Sequence, residues 1–231
     1  QDGARTFVNY CLNCHSASMM RFNRLQDIGL TDEQISGSLQ FTEGRVGDLM
    51  KVAMRHEDGK AWFGAAPPDL SVEARARASE SGSGADWIYT YLRSYYRDGS
   101  RETGWNNAIF PNVGMPNPLW QWQGMRGAVE ERVAPVTDEA TGKVTGWTKT
   151  TITYDREGNK SEKVEKVSGD GLHEGTHFTL GTPEGGTLSQ AEFDDKVANL
   201  VAFMKFMSDP SASTRGRLGI WVLLFIALFV G

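Results

Sequence analysis

Tyr10-Cys11-Leu12-Asn13-Cys14-His15 decides how the chain is read, because it holds the only two cysteines, three positions apart, with a histidine directly after the second. C-x-x-C-H is the attachment signature of a c-type haem. Two thiols at that spacing reach the two vinyl groups of one porphyrin through thioether bonds, and the adjoining imidazole of His15 becomes an axial iron ligand. One such motif implies one haem c. A thioredoxin-like centre would need a strand before the pair and a helix opening at it, which the flanks do not show. Zinc would need further soft ligands, and no cysteine is left to supply them. A disulfide across two intervening residues would close a tiny loop and constrain little of the unfolded chain.

Outward from the motif, the segment from about Ala4 to Asp27 is expected to be helical up to the haem residues, with Phe7, Val8 and Tyr10 on an apolar side. Thr31-Asp32-Glu33-Gln34 is a capping-box pattern, and Val46 to Arg55 reads as another short helix. Ala65-Ala66-Pro67-Pro68-Asp69-Leu70 breaks helical periodicity and forms a loop. Asp86 caps a helix on which Trp87, Tyr91 and Tyr95 recur at four-residue steps, an aromatic stripe that in a haem protein forms cofactor wall. Residues 123–180 are mostly polar. Within them Thr148 to Tyr154 and Lys163 to Val167 alternate around the turn Asp155–Asn159, which predicts a small β-hairpin. Ser189-Gln190-Ala191-Glu192 opens a last amphipathic helix with Phe193, Val197, Leu200, Val201 and Met204 on one face.

The second iron ligand comes from eight methionines or three further histidines. Met19 and Met20 follow His15 too closely, and Met50, Met54, Met204 and Met207 sit in helical patterns suited to packing. Met115 lies in Phe110-Pro111-Asn112-Val113-Gly114-Met115-Pro116-Asn117-Pro118, where glycine and three prolines impose a rigid loop. It leads the candidates, followed by His56; His173 and His177 lie in the polar excursion or its return. A Met/His pair raises the haem potential.

The chain has 231 residues and a formal net charge of −5, enough for one sizeable domain and weakly against nucleic-acid binding. Covalent haem attachment in bacteria takes place outside the cytoplasmic membrane, so the chain reads as the mature form of an exported precursor. Leu218 to Val230 runs uncharged after Arg215-Gly216-Arg217 and reads as the start of a transmembrane anchor over 215–231. Acidic residues such as Glu130, Glu131, Asp138 and Glu139 are candidates for steering a basic partner.

The haem motif, Ala66-Pro67-Pro68-Asp69-Leu70-Ser71 with Ala74-Arg75-Ala76-Arg77, Gly114-Met115-Pro116, Gly186-Thr187-Leu188-Ser189-Gln190 and an apolar C-terminal run stand in one order. In that order they resemble the cytochrome c1 family, the haem subunits of ubiquinol:cytochrome c oxidoreductases, in a proteobacterial form. The resemblance implies that Cys11 and Cys14 hold the haem, that His15 and Met115 are its axial ligands, and that Arg77 pairs with a propionate. It further implies that Pro67, Pro68 and Leu70 line the haem edge; Trp87 stands where the family often has a tyrosine near a propionate, and Tyr91 joins the cofactor-binding candidates from the aromatic stripe. The implied partners are cytochrome b, a Rieske iron–sulfur protein that donates the electron, and a cytochrome c that accepts it. The implied location is the bacterial inner membrane, with the haem domain in the periplasm. A lone anchored cytochrome of another respiratory assembly, or a haem-based ligand sensor, is the alternative. The expected fold class is mainly α: a single-haem cytochrome c-like helical domain over 1–214, a β-hairpin insertion at 123–180, and a C-terminal transmembrane helix.

Overall fold

The haem motif ends a helix and is followed by a strand. In this computed structural model, which describes residues 1–41, 44–168 and 172–230, helix α1 (Asp2–Tyr10) stops at Cys11, and β1 (Ala17–Arg21) and a 3-10 helix (Phe22–Ile28) follow. The helix thus ends at the haem residues, as expected, and the stretch from there to Asp27 is turn, strand and 3-10 helix. Helix α2 (Asp32–Ser38) opens on the expected capping box, Thr31 Oγ1 accepting from Gln34 N while the Gln34 side chain accepts from Thr31 N at 2.9 Å. In place of the helix expected over Val46 to Arg55 stands the short strand β2 (Leu49–Met50), paired with β1. The Asp48 carboxylate accepts from Arg45 N at 2.7 Å, and this local turn competes with helix formation. Then come α3 (His56–Phe63), α4 (Glu73–Ala76) and α5 (Gly84–Leu92).

The next elements are strands. β3 (Tyr95–Arg97) and β4 (Trp105–Asn107) form an antiparallel pair, so Tyr95 stands on a strand rather than on the helix that carries Trp87 and Tyr91. After α6 (Trp120–Gln123) follow β5 (Ala128–Thr137), β6 (Val144–Tyr154), β7 (Lys160–Val167) and β8 (Gly175–Leu180). The predicted hairpin is present, with Tyr154 opposite Lys160 and Trp147 opposite Val167. It is half of a four-stranded antiparallel sheet in the order β7-β6-β5-β8. That sheet has its own core of Tyr96, Ala128, Ile152 and Tyr154, with Phe178 and Leu180 packed against it. Helix accounts for 38% and strand for 23% of the described residues, so the fold is mixed α and β and the expected mainly-α class is wrong. The sequence hid β5 because its Glu130, Glu131 and Arg132 blur the apolar alternation on which a strand reading depends.

Helix α7 (Gln190–Ser208) opens where expected, with Ser189 N donating to the Glu192 carboxylate at 2.9 Å, and its five apolar-face residues are all buried. Helix α8 (Ala212–Val230) closes the chain. The chain divides into two compact units, Gln1–Tyr89 with Lys196–Gly231, and Thr90–Asp195. In the first, α1 packs on α7 at a close approach. A Cβ on Gly3 would lie 1.9 Å from the Asn199 carbonyl oxygen, so only glycine fits there. The Phe7 and Phe203 rings pack at a tilt with centroids 5.5 Å apart, and Lys196 bonds Asp2 at 2.9 Å.

The expected transmembrane helix is not supported. Helix α8 spends its first turns on Ala212 to Arg217, which include two arginines, leaving the 13 residues Leu218 to Val230 as apolar length. Thirteen helical residues span about 20 Å, against a hydrocarbon core of roughly 30 Å. Among the described residues no helix is long and apolar enough to cross a membrane. Gly231, the last position of the expected anchor, lies outside the described residues.

Candidate haem site

The motif winds one further turn beyond α1. Cys11 N donates to Phe7 O at 2.9 Å, and Cys14 N and His15 N both donate to Cys11 O, at 3.1 and 2.9 Å. This brings the thiols and the imidazole onto one tight turn. Both cysteines are free. Burial, reinforced by the neighbouring Cys14, pushes the Cys11 thiol up to about 12, and burial raises Cys14 as well, so both carry their protons at neutral pH.

His15 is buried, and its Nδ1 lies 2.8 Å from the Pro68 carbonyl oxygen. A carbonyl can only accept, so Nδ1 carries the proton and Nε2 is left with its lone pair. That is how a metal-ligating imidazole is held, one nitrogen fixed by a backbone carbonyl and the other presented to the metal. Desolvation lowers the His15 pKa against the opposing pull of the Pro68 carbonyl, Glu73 and Asp69, which keeps the ring neutral.

The Pro-Pro-Asp-Leu-Ser block supplies that carbonyl and is laced to the segment after the motif by three further bonds. Leu70 N donates to Ser16 O at 2.8 Å, Ser18 N to Asp69 Oδ2 at 2.8 Å, and Met19 N to Ser71 Oγ at 3.0 Å. Asp69 Oδ1 also accepts from Ser71 N at 2.9 Å, bending the loop back on itself. Leu70 is buried, while Pro67 sits against α3 where Gly59 leaves room; a Cβ there would come within 2.8 Å of the Pro67 ring. The sequence reading placed Pro67, Pro68 and Leu70 at the haem edge and gave no role to Ser16, Ser18 or Ser71. Asp69 is more than the turn residue its type suggests: it joins two segments. No periodicity marks these residues, because their work is hydrogen bonding across about 50 positions of sequence.

In the same unit Arg77 Nε bonds Glu73 at 2.6 Å, and its guanidinium lies over the Trp87 ring, 4.5 Å from the centroid. Thus Arg77 and Trp87 are brought together, with an acidic partner on the arginine. His56, the second candidate ligand, is exposed at the start of α3.

Met115 belongs to the second unit, where a buried asparagine pair from β4 shapes its loop. Asn106 Oδ1 accepts from Asn112 N at 2.8 Å, and Asn107 Oδ1 accepts from Ile109 N and Phe110 N at 3.1 and 3.2 Å. Asn112 adopts a left-handed φ of 63°, a conformation asparagine tolerates better than most residues. Val113 is buried against Tyr95 and Trp105, with Met115 and Tyr91 packed on that cluster. Tyr91 Oη lies 3.5 Å from Met115 Sδ, and Tyr95 Oη lies 2.7 Å from Tyr91 Oη. Asn106 and Asn107 escaped the sequence reading, although two consecutive asparagines in a strand before a Pro/Gly loop are a usable signal. Of the acidic residues considered for steering, Glu130 is buried beside Arg132 and Tyr154, and Glu131 pairs with Lys149, so neither is an open surface charge.

The motif turn of the first unit fits a c-type haem, with two protonated thiols and a neutral imidazole whose Nε2 is available, while the second unit presents the Met115 thioether on a braced loop. Comparison with known proteins agrees. The Cytochrome C1 family is matched over residues 1–130. The whole chain is 39% identical to the ammonia monooxygenase gamma subunit of Nitrosomonas europaea, covering 77% of that protein. It is 36% identical, again over its full length, to cytochrome c1 of Allochromatium vinosum, covering 78% of it. The haem motif, the Pro-Pro-Asp-Leu-Ser brace behind His15 and the full-length likeness agree, and the chain belongs to the cytochrome c1 family.

Proposed function

We propose that the chain is the one-electron relay of a membrane-associated quinol:cytochrome c oxidoreductase, taking electrons from a Rieske iron–sulfur protein and passing them to a cytochrome c. On this reading it assembles with cytochrome b, its haem domain faces the periplasm, and it is a redox subunit of the enzyme without substrate chemistry of its own. The observation that carries the reading is the His15 to Pro68 hydrogen bond of 2.8 Å, which leaves Nε2 as a metal ligand beside two free thiols. A bound haem supplies a one-electron iron couple. Cys11 and Cys14 would hold it covalently through thioether bonds, His15 and Met115 would ligate the iron, and Pro68, Asp69 and Ser71 would keep the imidazole in orientation. Arg77, beside Trp87, offers its guanidinium to a propionate.

The likeness to a protein named as an ammonia monooxygenase subunit does not change this assignment of roles. With His15 and Met115 both as ligands, the iron would have no place for a substrate, so in either assembly the chain's role would be to relay electrons. The test is purification from the native membrane under mild detergent. The chain should come with a b-type cytochrome and an iron–sulfur protein, and quinol should reduce its haem until cytochrome c reoxidises it. A haem that quinol cannot reduce in that preparation refutes the assignment.

A further inference from the structure

The two tyrosine hydroxyls behind Met115 form a directed chain. A thioether sulfur has no proton to give, so in the 3.5 Å contact Tyr91 Oη donates to Met115 Sδ. The Tyr91 oxygen is then the acceptor in its 2.7 Å contact with Tyr95, and Tyr95 must donate. The order is fixed as Tyr95 to Tyr91 to sulfur. Tyr95 is fully buried, its ring lies 5.4 Å from that of Tyr91, and both belong to the cluster of Trp105 and Val113. Phe110, on the loop that carries Met115, meets the Tyr91 ring edge-on at 6.2 Å. The donor is therefore held by packing on one side and by a hydrogen bond on the other.

From this geometry we infer that Tyr91 is a tuning and positioning residue: its hydroxyl occupies one lone pair of the Met115 sulfur, orients the other toward iron, and raises the reduction potential. The inference rests on Met115 being the axial ligand. A sulfur that shares density with a hydrogen-bond donor gives less of it to iron, and the ferric state, which needs that density more, loses more. Hydrogen bonding around a haem ligand is an established lever on potential. Tyr95 reinforces the effect, because an oxygen that accepts one hydrogen bond donates a stronger one.

A neutral hydrogen bond is worth about 0.5–1.5 kcal/mol net, which bounds the expected effect at roughly two- to tenfold in the ferrous-to-ferric ratio at a fixed applied potential. The experiment is equilibrium redox titration of the haem-loaded protein with Tyr91→Phe, Tyr95→Phe and Met115→Leu variants, read alongside the sulfur-to-iron charge-transfer band and thermal melts. Tyr91→Phe keeps the ring and its packing. It should lower the potential and shift the band while the melting temperature changes little. Tyr95→Phe should move the potential the same way by less. Met115→Leu should abolish the band. If Met115→Leu abolishes the band but Tyr91→Phe leaves potential and band unchanged, the inference is overturned while the ligand assignment stands. If Met115→Leu leaves the band intact, the ligand assignment itself fails and the inference falls with it.

Discussion

Asp69→Ala is the perturbation that most directly probes how His15 is held. The Asp69 carboxylate accepts from Ser18 N at 2.8 Å and from Ser71 N at 2.9 Å, tying the strand after the haem motif to the loop whose Pro68 carbonyl fixes the imidazole. Hydrogen bonds to a charged acceptor contribute about 1.5–3 kcal/mol each when well shielded. Asp69 is exposed, and solvent screening cuts such contributions, so about 2 kcal/mol for the pair is the expected loss. For a chain of 150–250 residues that is a fall in melting temperature of about 4–8 °C.

The same carboxylate sets a pH window. Burial pushes the Asp69 pKa up, but the Ser18 and Ser71 donors outweigh it and hold the carboxyl below its ordinary value. A depressed acid pKa gives stability that is present above the unfolded value of about 3.9 and is lost as pH falls through the lower folded value. The stability difference between the parent protein and Asp69→Asn should thus be complete near neutrality and disappear in acid. Thermal melts of the haem-loaded protein across pH measure both effects. A loss below about 0.5 kcal/mol for Asp69→Ala at neutral pH, the range of an ordinary surface change, would refute the claim that this residue braces the site.

Other variants test the frame. Gly3→Ala drives a methyl against the Asn199 carbonyl and should lower stability by more than the roughly 1–3 kcal/mol typical of overpacking, read by urea unfolding. Arg126 is buried and donates to Tyr95 O at 2.8 Å and to Arg93 O. Arg126→Met removes both bonds, leaving Tyr95 O the 3.2 Å bond from Gln123 Nε2, and should lose about 2–4 kcal/mol, mainly through the second unit, measurable by hydrogen exchange at β3. Cys11→Ala with Cys14→Ala should leave no haem on the chain after denaturing electrophoresis, whereas either single change leaves one thioether and retained haem stain.

Much of the site could be read before any fold was known, because covalent and coordination chemistry demand particular residue types at short spacing. Cys11, Cys14 and His15 are such a case, and the prolines around Met115 nearly so. The capping boxes at Thr31 and Ser189 were legible for a similar reason, since their donors and acceptors sit three residues apart. The residues that brace the ligands were not. Ser18, Asp69 and Ser71 act across about 50 positions, and Asn106 and Asn107 act through backbone groups of a loop with no periodic signature.

The sequence by itself determined the cofactor chemistry, the helical nature of the chain ends and the β6–β7 hairpin, all of which follow from local pattern. Tertiary structure decided the rest. It turned an expected helix into β2, and recruited the charged strand β5 and the distant β8 into a four-stranded sheet with its own core. Among the described residues it also showed no helix long and apolar enough to cross a membrane. Strand pairing and ligand bracing depend on which segments meet, and a linear chain carries that information only through packing and hydrogen bonds that form once it has folded.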